Sequence, residues 1–351
     1  MIVKNKDQCI TKWPESVKEL TEYWGICDTG SSDNTEEVVK NILKDVPGMY
    51  VHHDWVDFST NRNLALSISR KHGDYSFFID ADDYFVCDDL NIFKHLDKPK
   101  YSINILQEQV IYLRSALLSN KEDGEYKGVL HESLYTSVES TKLDGCHIVF
   151  GNVGHRTKDS DKYKKDAMIL QKEVDKDPTN ARNVFYCAQS YKDAKMYEEA
   201  INMYLKRVNL GGWQEEVYYS FLQIAIICDF LKQDTLTTMN NYLRAFNSLP
   251  TRSEALLYLA FYCRKNNLFD HAYFYAKMGI KIPKPSVGLF LDNEVYVWRM
   301  YDELASAASY IGKYKEALNI SILLMQNTYV PQQEKNRIQA NILILEKKVN
   351  H

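Results

Sequence analysis

The chain has 351 residues, 45% of them hydrophobic, enough for two cores of ordinary size. Lys and Arg number 43 against 47 Asp and Glu, and this net charge of −4 excludes nucleic-acid binding by bulk attraction. Seven scattered cysteines (Cys9, Cys27, Cys87, Cys146, Cys187, Cys228, Cys263) form no CxxC pair, which speaks against a zinc knuckle or a disulfide framework and for a reducing, cytoplasmic setting.

No apolar run reaches the roughly 20 residues of a membrane span, and MIVKNKDQC lacks the apolar centre of a signal peptide. The first half alternates short apolar runs with helical patterns. Met1 to Val3, Trp24 to Cys27 and Tyr75 to Ile79 read as buried strands. Between them, Ser32-Asp-Asn-Thr opens a helix that runs through Val38, Val39, Ile42 and Leu43, and a second helix covers Thr60 to Arg70. Further strands follow at Ser102 to Leu106 and Gln109 to Leu113. Strands alternating with helices predict βαβ units in a mainly parallel sheet, with ligands at the carboxyl ends of the strands.

Near residue 160 the pattern changes. FYCAQSY, LQIAIIC and LYLAFYC each place a small residue (Ala188, Ala225, Ala260) among large apolar ones, and LASAASY at Leu304–Tyr310 reads as a fourth copy. Each is followed by a second helical segment, beginning at Tyr197, Leu236, Phe269 and Tyr314. The first intervals, 37 and 35 residues, approach the tetratricopeptide (TPR) period of about 34. Trp213, Trp298 and the tyrosines are expected to pack in the core of these helices. The predicted boundary separates residues 1–158 from 159–351.

The chemistry concentrates at FFIDADDYF, where a buried strand runs into Asp80, Asp82 and Asp83. Three readings fit these acids: a solvated turn, a helix cap, or hard oxygen ligands for a divalent metal facing phosphates. Ala81 between them is small enough to let a ligand approach. CDTGSSDNT offers a helix N-terminus to an anion, and DFSTNRN places Arg62 at the start of the next helix. There is no GxGxxG and no P-loop.

Taken in order, MIVKN, DTGSSDNT, DFSTNRN and GDYSFFIDADD resemble the family 2 glycosyltransferases of GT-A fold, over roughly residues 1–155. The closest resemblance is to a subgroup whose catalytic domain is followed by TPR-like helices. The resemblance implies an α/β GT-A (nucleotide-diphospho-sugar transferase) domain followed by an all-α TPR-like repeat domain. It implies that Asp80 and Asp82 hold Mn²⁺ or Mg²⁺ against the diphosphate of a nucleotide sugar, UDP-glucose or another UDP-sugar. It places Val3, Lys4, Asn5 and Asp28 beside the nucleoside and Arg62 near the phosphates. KGVLHESL resembles the segment carrying the acceptor-side base, here Glu132 with His131 beside it. GNVGHRT resembles the segment whose late histidine, here His155, completes the metal shell.

Lys6 departs from the family pattern by standing where Glu is usual. The implied activity is inverting, metal-dependent sugar transfer to an acceptor hydroxyl of a glycan, a lipid-linked glycan or a protein. The helical repeats suit a protein partner. An impaired transferase serving as a scaffold is the alternative, and a nucleotidyltransferase a weaker one.

Overall fold

The computed structural model describes residues 1–107, 110–151 and 161–350. The chain divides into two compact units, Met1–Asp175 and Lys176–His351. The boundary expected at 158/159 lies outside the described residues.

The first unit carries ten strands: β1 (Ile2–Val3), β2 (Trp24–Asp28), β3 (Gly48–His52), β4 (Tyr75–Phe77), β5 (Tyr84–Cys87), β6 (Lys100–Gln107), β7 (Val110–Ser119), β8 (Glu125–Lys127), β9 (Ser133–Tyr135) and β10 (Thr141–Val149). Its helices are α1 (Lys12–Val17), α2 (Thr35–Ile42), α3 (Phe58–Ser69) and α4 (Lys162–Lys176). β1, β2 and β3 form a parallel sheet, and β8 pairs with β9. The other five strands lie in the order β4-β7-β6-β10-β5, and only β6 and β10 are parallel neighbours.

One mainly parallel sheet was expected; the hydrogen bonding corrects this to a small parallel sheet beside a mixed one. Parallel pairing needs a long crossover, and beyond β4 the chain returns through short connections such as the β6–β7 hairpin. Side chains of both sheets nevertheless share one core, with Ile26, Ile79, Ile103, Ile105 and Ile148 all buried. Trp24, Gly25, Phe77 and Leu117 are among the walls of a cavity of about 590 Å³.

The second unit is helical: α5 (Ala181–Asp193), α6 (Tyr197–Leu210), α7 (Gln214–Phe230), α8 (Thr235–Ser248), α9 (Glu254–Lys265), α10 (Phe269–Gly279), α11 (Met300–Tyr310), α12 (Tyr314–Gln326) and α13 (Gln332–Val349). The repeat alanines Ala188, Ala225 and Ala260 are fully buried, so neighbouring helices approach closely at them. Trp298 is buried as expected, but Trp213 is 55% exposed. It stands at the N-cap of α7, just after Gly211 and Gly212, and so lies off the helical stripe.

Four helical hairpins, α5–α6, α7–α8, α9–α10 and α11–α12, turn in the same way. Lys195, Lys232, Asn267 and Gly312 have φ between 54° and 75°. The next residue's amide then donates back to the carbonyl five positions earlier: Met196 to Tyr191, Gln233 to Cys228, Leu268 to Cys263 and Lys313 to Ala308. This closure satisfies carbonyls that a helix end leaves open. A left-handed conformation costs a lysine roughly 1 kcal/mol relative to glycine. Lys195→Gly and Lys232→Gly are therefore each expected to raise the unfolding midpoint of the repeats by roughly 2–4 °C, read by thermal circular dichroism. An unchanged or lower midpoint would contradict this account of the turn.

Candidate functional site

The end of β4 leads directly to the acids. Ile79 and Ala81 point into the core at 4% exposure each, which leaves Asp80 and Asp82 facing the other way. Ala81 thus packs within the core of the first unit.

Asp80 sits between two guanidinium groups: Arg62 Nη2 donates to Oδ1 at 2.6 Å and Arg114 Nη1 to Oδ2 at 2.8 Å. Arg114 Nη2 also donates to buried Asp83 at 2.8 Å. Burial alone would raise the pKa of Asp80, but the two arginines outweigh it and hold the carboxyl well below its usual range. Asp83 is pushed the other way, first by burial and then by the charge of Asp80.

A depressed carboxyl pKa contributes stability that is present above the unfolded value and lost as pH falls. The unit should therefore lose stability on acidification below about pH 4, and Asp80→Asn should lose less over the same window, read as urea midpoints. Equal losses would show that Asp80 is not the linked group. Asp83 opposes the trend, since the contribution of a raised carboxyl pKa is lost as pH rises.

Arg62 reaches Asp80 from α3. Asp57 caps that helix by accepting from the Thr60 amide at 2.7 Å. One turn in, Asn63 bonds both backbone groups of Tyr126 on β8, at 2.9 and 2.7 Å, and so seats the β8–β9 hairpin on the helix. The hairpin loop folds back through Gly128 at φ 112°, where a side chain would crowd the Leu130 carbonyl and Glu132 Cα. His131 is exposed and left-handed at φ 51°. Glu132 then accepts from Arg62 Nε at 2.5 Å. One guanidinium thus joins the expected base to the first expected metal ligand. Burial would lower the pKa of Arg62, but Asp80 and Glu132 raise it, so it stays charged.

The turn after β1 closes a second side. Val3 is buried and its carbonyl accepts from the Thr29 amide at 3.0 Å. Lys4 is exposed. Asn5, at φ 50°, donates its amide to Ser31 Oγ and accepts from the Ser32 amide. Asp28 is 1% exposed, and its carboxylate accepts from the Gly30 and Ser31 amides and the Tyr50 hydroxyl. It therefore shapes the loop around it. Lys6 donates its amide to Thr35 Oγ1 at 2.7 Å, and its Nζ lies 3.4 Å from Asp82 Oδ2.

Gly151, at the far end of β10, donates its amide to Asp83 at 3.1 Å. A Cβ there would sit 1.9 Å from the Asp82 carbonyl. His155 lies outside the described residues. Arg62, Asp80, Asp83, Arg114 and Glu132 thus form one hydrogen-bonded cluster, while Lys6 pairs with Asp82 and Asp28 bonds within its own loop. Arg114 was not foreseen: it falls on β7, and only the β6–β7 pairing, with Arg114 opposite Ile103, brings it to the acids.

Among the described residues no three His, Cys, Asp or Glu side chains are placed to hold a metal ion. Both oxygens of Asp80 face arginine and one oxygen of Asp82 faces Lys6. The described residues do not fit the divalent ion that the resemblance implies.

Residues 19–130 match the family model described as glycosyltransferase like family 2. That stretch holds Asp28, Arg62, Asp80, Asp82 and Arg114, and ends just before His131 and Glu132. The first unit therefore carries a glycosyltransferase-2-like region. The chain is also 30% identical over 141 residues to a TPR repeat-containing protein of Synechococcus elongatus, covering 38% of this chain and 34% of that protein. The chain spans about a third of the length of that curated relative.

Two solved structures resemble it in part. The crystal structure of MamA is 15% identical, covers 54% of this chain and 99% of its own, and has a TM-score of 0.40. That of YrrB, titled a TPR protein with an unusual peptide-binding site, is 14% identical, covers 48% and 79%, and has a TM-score of 0.37. No helix among the described residues is long and apolar enough to cross a membrane.

Proposed function

We propose that the first unit is a glycosyltransferase that moves a sugar from a nucleotide-sugar donor to an acceptor hydroxyl with inversion. The observation that carries this reading is Arg62, which joins Asp80 and Glu132 through one guanidinium. Such an arrangement puts a carboxylate base beside fixed cations. Glu132 takes the proton of the acceptor hydroxyl as its oxygen attacks the anomeric carbon. The bond to the diphosphate breaks on the opposite face, and the leaving group departs with the electron pair. Arg62 and Arg114 supply positive charge where that negative charge develops.

The loop from Asp28 to Thr35 and the turn from Val3 to Asn5 border the nucleoside. A UDP-sugar, UDP-glucose first, is the donor proposed on the resemblance; the acceptor is a glycan, a lipid-linked glycan or a protein. The test is a thermal-shift panel of UDP-, GDP-, CMP- and dTDP-sugars, followed by transfer assays with the donor that binds. A shift with one nucleotide class, together with release of that nucleoside diphosphate, supports the reading. Release of pyrophosphate would replace it with nucleotidyl transfer.

A second reading has its own observation. Every acid of the DADD stretch already faces a cation of the chain. An impaired transferase unit whose helical repeats hold a protein partner is consistent with that closure, and no binding of any donor would favour it.

A further inference from the structure

We propose that Lys6 is the diphosphate-facing cation of the donor site, held in place by Asp82, so that donor binding does not depend on a divalent metal. This rests on the transferase reading above. Position 6, three residues after the end of β1, is a lysine, and its ammonium is paired with the second acid of the DADD stretch.

The backbone of Lys6 is fixed on both sides. Its amide donates to Thr35 Oγ1 at 2.7 Å, and its carbonyl accepts from Cys9 at 2.9 Å and Ile10 at 2.8 Å. The next amide, of Asp7, donates to Asp33 Oδ2 at 3.1 Å. The side chain is 16% exposed, so it is largely covered yet reachable, and its Nζ lies 3.4 Å from Asp82 Oδ2. An ammonium carries three donors, and Asp82 faces this one as an ion-pair partner.

A divalent ion at Asp82 would have to sit against this fixed positive charge. Like charges at such separations repel strongly, and the ion would also have to break the Lys6–Asp82 pair. Asp80 offers no relief, because both its oxygens are engaged by Arg62 and Arg114. The acids of this site therefore position cations belonging to the chain. The adjoining residue, Asn5, ties this turn to the loop after β2 through Ser31 Oγ and the Ser32 amide, so the Lys6 backbone is held beside that loop.

The experiment is a titration of the full chain with UDP, GDP, CDP and dTDP as probes, in EDTA and in excess Mn²⁺, with the unfolding midpoint of each variant recorded alongside. Wild type is expected to bind one nucleotide equally well in both. Lys6→Met should weaken that binding roughly 10- to 100-fold in both, the loss of one charge-assisted contact, and Lys6→Arg should restore most of it. Lys6→Glu should bind weakly in EDTA and recover in Mn²⁺, because a second carboxylate beside Asp82 makes a hard oxygen site. Asp82→Ala should add little to the loss in Lys6→Met, since Asp82 acts through Lys6.

Wild-type binding that appears only with Mn²⁺ would overturn the role of Lys6 and leave the transferase reading standing. Failure of all four nucleotides in both conditions would overturn the transferase reading and this inference with it. Unchanged affinity in a folded Lys6→Met variant would overturn the inference alone.

Discussion

Arg252→Ala is expected to destabilise the helical repeats by about 3–5 kcal/mol, the largest stability effect of any single substitution considered for this chain. The Arg252 side chain is 1% exposed and its guanidinium is fully engaged. It donates to Glu254 at 2.7 and 3.0 Å, pairs with Glu215, and reaches the Leu289 carbonyl at 3.2 Å. Glu254 also accepts from the Tyr296 hydroxyl at 2.7 Å. Removing the arginine strands the buried Glu254 carboxylate, 3% exposed, and takes the cation from Glu215, 19% exposed, and the penalty of an unpaired buried charge exceeds what the pair contributed. Urea unfolding followed by far-ultraviolet circular dichroism measures the change. A loss under about 1 kcal/mol would mean that the site opens to water once the guanidinium is gone. Arg252→Met combined with Glu215→Gln and Glu254→Gln should recover much of the loss, because it removes the stranded charges as well.

The second large effect is on rate. Glu132→Gln should lower turnover by roughly 10²- to 10⁴-fold while leaving nucleotide affinity within a few fold, since it removes the base and keeps the shape. The variant retains an amide oxygen for Arg62, so its unfolding midpoint should stay close to wild type. The check is kcat with the donor found in the panel, together with affinity for the matching nucleoside diphosphate. Turnover within threefold of wild type would exclude Glu132 as the base and leave Arg62 as its structural partner only.

Much of the site could be read from the sequence because it lies where strands end. The run of apolar residues into Asp80 marks such an end, and β4 stops three residues before it. Arg62 was visible because DFSTNRN stands at the start of a helix, although the Asp57 cap that fixes that start was not read. Glu132 needed a resemblance, since nothing local distinguishes it from a surface acid until the β8–β9 hairpin is seated by Asn63. Arg114 was not legible: an arginine alternating with apolar residues on a strand looks like any solvated position, and its place depends on pairing with a strand that precedes it by only a short loop. β3 was missed for a related reason, because GMYVH is largely exposed and carries no alternation of apolar side chains. The sheet was misjudged because sequence shows which runs are strands, whereas their direction depends on the length of each connection. In the second unit the reverse holds: local spacing defines the repeats, and the departures are aromatics off the packed stripe, Trp213 after its two glycines and Tyr301, Tyr310 and Tyr329, which are exposed.

The turns of the helical hairpins also carry a lesson about length. They fall 37, 35 and then 45 residues apart, so the last interval holds an excursion that the others lack. The cluster around Arg252 grips that excursion at Leu289, where Glu215 accepts from its amide and Arg252 donates to its carbonyl. That excursion lies between α10 and α11, and its tie runs back to Glu215 on α7 and to Arg252 just ahead of α9. The buried charges thus act as a splice, letting the repeat array take in a longer segment without losing the phase of the helices that follow.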